Sequence, residues 1–343
     1  MNPNEIKMKN CFIGTMLGCA IGDATGFSVE RKSPLECQNY LKEVAEGNFI
    51  QYRQPFNIMQ ISDDTQQTIQ LAESLIACNG FNPEDYAARL VDSFKNGKMV
   101  GAGSATKSAC KNMLQGMPWN EAGAEPPMAG NGAAMRVGAM ALWYNDSPLD
   151  IMLKAKEQAL ITHKDQRSGD GAAIVAIAIY RLLYLASGFD AFKFMDFITE
   201  HTEQFIGDEA KHALHILNKL IRKNPEWELE KAADYISFNL DVEYSQKKTH
   251  WNIISPYVLS TVMWALYSFI KNAESFNDTM NYAIGCGGDV DTTSSIAGSL
   301  CGAYLGRNNL PKKQIFLLND YGKKQLDIIM DLSVDIFNKR FTQ

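Results

Sequence analysis

Two stretches of this chain place acidic residues where oxygen chemistry can be done. In Gly285-Cys286-Gly287-Gly288-Asp289-Val290-Asp291-Thr292-Thr293, two carboxylates stand two apart in a glycine-rich bend just ahead of a helix. In Ser62-Asp63-Asp64-Thr65, two more are adjacent, flanked by hydroxyls. A serine ahead of acids is in itself a helix start, since its oxygen caps free amides and the helix dipole favours negative charge. One acid suffices for that, whereas two neighbouring carboxylates repel unless a cation lies between them. All the donors are hard oxygens, which suit magnesium or manganese better than zinc. Four carboxylates exceed the charge of one divalent ion, so they fit a pair of ions about 3.5–4 Å apart. This is the donor set of a metal-dependent hydrolase, provided the two stretches meet.

Competing readings of these acids fail on context. Asp289-x-Asp291-x-Thr293 matches the nucleophile motif of haloacid-dehalogenase-like phosphatases, but that motif ends a buried strand and here Ile284-Gly-Cys-Gly-Gly precedes it. A calcium-binding EF-hand loop wants glycine at its sixth position and glutamate at its twelfth, where Ser294 and Leu300 stand. Gly101-Ala-Gly-Ser-Ala-Thr106-Lys107-Ser108 misses the phosphate loop of nucleotide hydrolases, because Thr106 occupies the place of its second glycine and no strand leads into it. A turn followed by a helix over Ala109–Leu114 is expected there.

The elements that position the acids read as helices almost throughout. Ser294, Gly298, Gly302 and Gly306 recur every four residues, and so do Gly14, Gly18, Gly22 and Gly26. Spacing of four places each row on one helical stripe. Glycine inside a helix costs roughly 1 kcal/mol against alanine, so close contact must offset it. The two rows are therefore expected to pack on each other, backbone near backbone. A polar connection through Glu30, Arg31, Pro34 and Pro55 leads to the Ser62 helix, whose apolar face is Ile69, Ala72, Leu75 and Ile76. Gly130-Asn131-Gly132 opens a helix expected to run to Trp143, and successive amides of such a bend suit an anion such as a pyrophosphate. Thr162-His163 closes a helix from Ile151, and a central apolar helix is expected over residues 169–186. Amphipathic helices follow from Phe189 to Asn239, and Pro256 announces a buried one over Tyr257–Ile270. His212 and His215 share a helical face but lack a cysteine or carboxylate in step, so they are expected at the surface or in packing.

With 343 residues, 46% of them apolar, the chain can bury a large core, and a formal net charge of −6 gives no footprint for nucleic acid or an anionic membrane. Its first ten residues hold no apolar signal core, and its apolar runs are too short or interrupted to span a bilayer. A soluble, cytoplasmic, monomeric protein is expected. Seven cysteines without paired spacing, among them Cys19, Cys78, Cys110 and Cys301, are expected as reduced core residues.

Taken in order, Gly18-x-Ala20-x-Gly22-Asp23-Ala24-x-Gly26 with Glu30, Ser62-Asp-Asp-Thr65, Gly130-Asn-Gly-Ala-Ala-Met-Arg136, Thr162-His163 and Gly287-Gly-Asp-Val-Asp-Thr292 resemble the ADP-ribosylglycohydrolase family. The family includes the dinitrogenase reductase-activating glycohydrolase and the human ADP-ribosylhydrolases. The resemblance runs from about Cys11 to Gly306, so residues 1–343 are expected to form one domain. It implies an all-α fold with two magnesium or manganese ions in a central cleft and release of ADP-ribose, at ribose C1″, from a modified side chain. By position, Ser62, Asp63, Asp64, Asp289, Asp291 and Thr292 become the metal ligands. Asp63, Asp64, Asp291 and Glu30 become the catalytic carboxylates. Gly130, Asn131 and Gly132 would hold the diphosphate, with His163 beside it. Ser62 stands where threonine is more usual, and Val290 lies where the motif often has threonine. The implied partner is an ADP-ribosylated protein or an ADP-ribose-containing small molecule. Acceptor choice is expected in the segment from Arg31 to Gln60. Some relatives have lost activity or protect bacteria against ADP-ribosyltransferase toxins, so a non-catalytic ADP-ribose-binding or toxin-blocking immunity role is the alternative, ahead of a phosphatase.

Overall fold

The computed structural model describes residues 2–185, 188–241 and 253–341, and the regular structure within them is overwhelmingly helical. The first part runs α1 (Pro3–Phe27), α2 (Pro34–Ala45), α3 (Asp63–Cys78), α4 (Pro83–Lys95), α5 (Ser104–Leu114) and α6 (Trp119–Ala122). The middle holds α7 (Gly132–Met135), α8 (Gly138–Trp143), α9 (Pro148–Leu160), α10 (Gln166–Leu183), α11 (Ala191–Thr202), α12 (Asp208–Lys223) and α13 (Leu229–Leu240). The last part is α14 (Val258–Lys271), α15 (Phe276–Gly285), α16 (Val290–Leu305), α17 (Lys312–Leu317) and α18 (Leu326–Phe341). Two two-residue strands, β1 (Asn319–Asp320) and β2 (Lys323–Lys324), pair antiparallel between α17 and α18.

The expected glycine seam forms the middle of the molecule. α1 and α16 lie antiparallel, with Gly14 against Gly302, Gly18 against Gly298, Gly22 against Ser294 and Gly26 against Val290. A Cβ placed on Gly18 would come 2.1 Å from the carbonyl oxygen of Gly298, and one on Gly298 would come 2.1 Å from that of Gly18. Side chains are thus excluded along the α1 row and at Gly298 and Gly302 of α16, and the helices touch through their backbones there. Both are buried on all sides, from Cys11 to Phe27 and from Val290 to Ala303. Helices α3, α10, α14, α15 and α18 pack around this pair. Because the pair is antiparallel, the C-terminus of α1 meets the N-terminus of α16. Glu30 follows the one, and Asp289 and Asp291 stand at the other.

Several sequence expectations are corrected here. The polar connection after Glu30 contains a full helix, α2, started by a capping box between Ser33 and Glu36 with Pro34 in its first turn. The helix expected from Gly132 to Trp143 is two short helices broken at Arg136-Val137, where the arginine turns inward. α5 begins at Ser104, five residues before the expected start, and the element preceding it is helix α4, so no strand leads into Gly101. The helix ending near His163 runs Pro148–Leu160, leaving Thr162 in a turn and His163 bridged to Ala124. Cys19, Cys110 and Cys301 are buried as expected, but Cys78, in the last turn of α3, is exposed. α10 covers the central apolar helix to Leu183, and Ala186, at its expected end, lies outside the described residues. His212 and His215 lie on the exposed face of α12, as expected.

Candidate active site

Three helix ends converge on one buried cleft, and each is held there by a contact remote in sequence. Ser62 caps α3, its hydroxyl accepting from the Asp64 amide. What places this cap is Asp23 of α1, which is fully buried. Its Oδ2 accepts from the Ser62 amide at 2.9 Å, from the Thr65 amide at 3.1 Å, and from the Thr65 hydroxyl. The Asp63 amide donates to the Val100 carbonyl at 2.7 Å, and the Ile61 amide to that of Asn319 at 2.9 Å, so the entry to α3 is pinned on both sides.

The bend before α16 is built from glycines because its backbone demands them. Gly287 and Gly288 have φ of +74° and +96°, a region L side chains avoid. A Cβ on Gly288 would also fall 2.1 Å from the Ile254 carbonyl oxygen. The Asp289 amide donates to that same oxygen at 2.9 Å, and the Arg31 amide donates to the Gly288 carbonyl at 3.0 Å. Asp289 then stands as the N-cap of α16 with Asp291 in its first turn, both facing the cleft against the positive end of the helix.

The carboxylates that result are crowded and dry. Asp63, Asp64, Asp289 and Asp291 are each at most 6% exposed. Burial, followed by the charges of Asp23, Glu30 and Asp289, pushes Asp63 up to about 8. Burial and then the Asp23, Asp63 and Asp289 charges hold Asp64 well above the usual carboxylate range. Burial and then Glu30 push Asp289 up to about 6, and burial, then Glu30, Asp289 and Asp64, hold Asp291 well above the usual carboxylate range. Asp63 and Asp64 thus sense Asp289 across the cleft, although more than two hundred residues separate them in the chain. Carboxylate oxygens of Glu30, Asp289 and Asp291 lie within 4.8 Å of one another. Asp64 Oδ1 is buried with no hydrogen-bond partner among the described residues. A set of acidic oxygens that raise one another's affinity for positive charge, with one oxygen unpartnered, fits a divalent cation.

The remaining expected residues are placed as follows. Ser62, completely buried, directs its hydroxyl to Asp64 Oδ2 at 3.2 Å, and the Thr292 amide donates to Asp291 Oδ1 at 2.9 Å. Glu30 sits at the mouth, where its two oxygens meet Arg31 and Arg53. Arg53 in turn stacks 4.1 Å over the Phe27 ring, so the segment between α2 and α3 closes onto the end of α1. Asn131 turns its side-chain amide to Asp289 Oδ2 and to the Thr261 hydroxyl, joining the bend at Gly130 to the carboxylates. Gly130 and Gly132 lie bare against the ring of His163: a Cβ on either would come within 3 Å of that ring. His163 is 3% exposed, and burial followed by the nearby Arg136 guanidinium pushes it down to about 3, so the imidazole is neutral.

Sequence reasoning gave no role to Asp23, Gln67, Arg136, Thr261 or Arg53. Asp23 and Arg136 had a signal, each as the one charged residue in a stretch of small and apolar residues, Gly14–Gly26 and Gly132–Trp143. Buried charge is costly enough to require a task.

The family model described as ADP-ribosylglycohydrolase matches residues 4–342. The chain is 30% identical over 299 residues to an uncharacterized protein of Archaeoglobus fulgidus, covering 87% of this chain and 88% of that one. It is 26% identical over 350 residues to the ADP-ribosylhydrolase ARH3 of Homo sapiens, covering 96% and 94%. It is 24% identical over 311 residues to the ADP-ribosylarginine hydrolase Tri1 of Pseudomonas putida, covering 88% and 72%. A solved structure described as an ADP-ribosylglycohydrolase-related protein complex shares the fold with a TM-score of 0.68, over 97% of this chain and 99% of that chain, at 22% identity.

Proposed function

From the premise that this chain belongs to the ADP-ribosylglycohydrolase family, we propose that it is a hydrolase that releases ADP-ribose from a modified acceptor, working with divalent cations held in the cleft between α3 and α16. The observation that carries the reading is the buried meeting of Asp63 and Asp64 with Asp289 and Asp291: burial raises the proton affinity of all four, and the Asp289 charge raises that of the other three further. So many acids in one dry cleft are costly unless cations replace the protons.

Ser62, Asp63, Asp64, Asp289, Asp291 and Thr292 are the proposed ligands of two Mg2+ ions, with Mn2+ as the substitute, and Glu30 closes the same acidic group from the mouth. When bound, such ions bring a site for ribose hydroxyls and a water of lowered pKa. The chain's own contribution begins with orientation. Asn131 fixes Asp289, and the N-terminus of α16 fixes Asp291, so both face one point. As the bond at C1″ breaks, the ribose gains oxocarbenium character, which nearby carboxylates stabilise. Asp63, Asp64, Asp291 and Glu30 are the groups proposed to take the proton of the attacking water. The diphosphate is assigned to the Gly130–Gly132 bend beside His163, whose ring packs against the bare Cα atoms of both glycines. The acceptor side is assigned to the Glu30–Arg53 mouth.

The test is incubation with ADP-ribosyl-arginine and ADP-ribosyl-serine peptides, with and without Mg2+, comparing the native chain with Asp291→Asn. Mg2+-dependent release that Asp291→Asn abolishes is expected. Binding of ADP-ribose with no release from either peptide would replace hydrolysis by a purely binding role, including the toxin-blocking one.

A further inference from the structure

Arg136 is completely buried, yet among the described residues no carboxylate is hydrogen-bonded to it. Its Nε and Nη2 hold the Oε1 and main-chain oxygen of Gln158 at 2.7 and 3.0 Å. The other contacts reach two side chains that lead in different directions. Nη1 donates to Gln67 Oε1 at 2.8 Å, and Nη2 donates to Thr162 Oγ1 at 2.8 Å.

A guanidinium can only donate, and this decides the polarity of both branches. Gln67 has to give its carbonyl oxygen to Arg136, which turns its amide nitrogen the other way, where it donates to Asp63 Oδ2 at 2.6 Å. Thr162 has to accept from Arg136, and among the described residues the only acceptor for its own proton is His163 Nδ1, 2.8 Å away, so the hydroxyl donates there. With Nδ1 as acceptor, the neutral ring carries its proton on Nε2. That nitrogen has no hydrogen-bond partner among the described residues, and it lies against Gly130, where a Cβ would come within 2.7 Å.

We propose that Arg136 is a positioning residue that sets both sides of the cleft: through Gln67 it fixes the rotamer of Asp63 for the cation, and through Thr162 it locks His163 in the Nε2–H tautomer, presenting one uncharged donor to a phosphate oxygen at the Gly130–Gly132 bend. The proposal rests on reading the cleft as a site for divalent cations and ADP-ribose. It explains why α7 and α8 are broken at Arg136, since a continuous helix would carry this side chain elsewhere. It also explains how a fully desolvated cation is tolerated without a directly hydrogen-bonded carboxylate: its hydrogen bonds go to polarised neutral groups whose far ends point to Asp63 and His163, the Asp63 charge acts on it through Gln67, and the Tyr86 ring faces it at 5.6 Å.

Ring 15N shifts of His163, one of five histidines in the chain and assigned by comparison with His163→Asn, report the tautomer without any turnover. Titration with Mn2+ alone reports the Asp63 branch. The native chain is expected to show Nε2–H. Thr162→Val should remove that preference while leaving Mn2+ affinity within about twofold. Gln67→Met should weaken Mn2+ binding by about 10–100-fold, as loss of a hydrogen bond to a ligand does, with the tautomer unchanged. Arg136→Lys should disturb both readouts, and if it does not fold the two single-branch variants decide. An Nδ1–H ring in the native chain, an unmoved tautomer in Thr162→Val, unchanged Mn2+ affinity in Gln67→Met, or absence of Mn2+ binding by the native chain would each overturn the branch concerned. Both readouts moving in both single-branch variants would overturn the whole scheme. A chain that meets every expectation and releases no ADP-ribose would refute hydrolysis alone, leaving the network in place.

Discussion

Replacing one helical glycine by alanine should have opposite effects at two places in this molecule, and the contrast tests whether the α1–α16 seam holds the site together. Gly169 lies inside α10, where an added Cβ would meet Lys156 at 3.5 Å, an ordinary contact. Gly169→Ala should therefore stabilise the protein by about 0.5–1 kcal/mol, the usual gain from helix propensity. Gly298 gains the same propensity, but its Cβ would fall 2.1 Å from the Gly18 carbonyl oxygen and 2.8 Å from the Gly18 carbonyl carbon. Relief requires the two helices to part by more than about 1 Å, and a gap of that size forfeits a quarter to a half of each dispersion contact along the seam. Overpacking commonly costs 1–3 kcal/mol, and backbone atoms cannot swing aside as side chains do. Gly298→Ala is thus expected to lose about 3 kcal/mol net, some 4 kcal/mol below Gly169→Ala. At roughly 2 °C per kcal/mol for a large domain, calorimetry should show Tm falling by about 6 °C for the one and rising slightly for the other. Because the seam also sets the distance from Glu30 to Asp289 and Asp291, Gly298→Ala should lose cation-induced stabilisation as well. Equal stability of the two variants would refute backbone-to-backbone packing as the organising contact.

Other outcomes follow from the cleft. Asp63 and Asp289 have folded-state values of about 8 and about 6 against a reference of 3.8, so between those limits the cation-free folded state binds more protons than the unfolded one, and stability should fall as pH rises from about 4 to 8. Mg2+ should reverse this, with a larger Tm gain at pH 8 than at pH 5, and a cation-free Tm that climbs across that window would contradict the crowding of acids. Gly288→Ala combines a φ of +96° with a Cβ 2.1 Å from the Ile254 carbonyl oxygen; Asp289 should be displaced, with about 2–3 kcal/mol of stability lost and Mn2+ binding abolished in a titration. Arg53 is one-third exposed, so Arg53→Ala should change stability by under about 1 kcal/mol. By removing positive charge beside Glu30 it should tighten Mn2+ binding, and weaker binding in that variant would contradict the placement of Arg53 at the acidic mouth.

How much of this was legible in the sequence depends on whether the signal was local. The two rows of small residues are each a helix-period pattern. Because a helix of glycines is costly unless something presses on it, each row implied the other, and the structure sets Gly14, Gly18 and Gly22 against Gly302, Gly298 and Ser294, while Gly26 meets Val290 and Gly306 faces Asn10 at the ends of the seam. Asp63, Asp64, Asp289 and Asp291 were legible because closely spaced acids exceed the one that a helix start needs, and the hydrogen-bonding role of Ser62 followed from capping chemistry. Helix α2 was hidden by a polar, proline-bearing stretch whose capping box went unread. The burial of Cys78 was wrongly expected because position at a helix end, not residue type, decides exposure there.

What tertiary structure alone decided is which remote group each polar side chain meets. No spacing in the sequence says that Asp23 of α1 receives the N-terminus of α3, that Asn131 turns to Asp289 instead of leaving its amide free, or that Arg136 breaks a helix to reach Gln67 and Thr162 at once. Hydrogen bonds act over about 3 Å and have no period along the chain. The residue types therefore announced a cluster of acids, and the antiparallel crossing of α1 and α16 chose its geometry by bringing chain segments nearly three hundred residues apart into backbone contact.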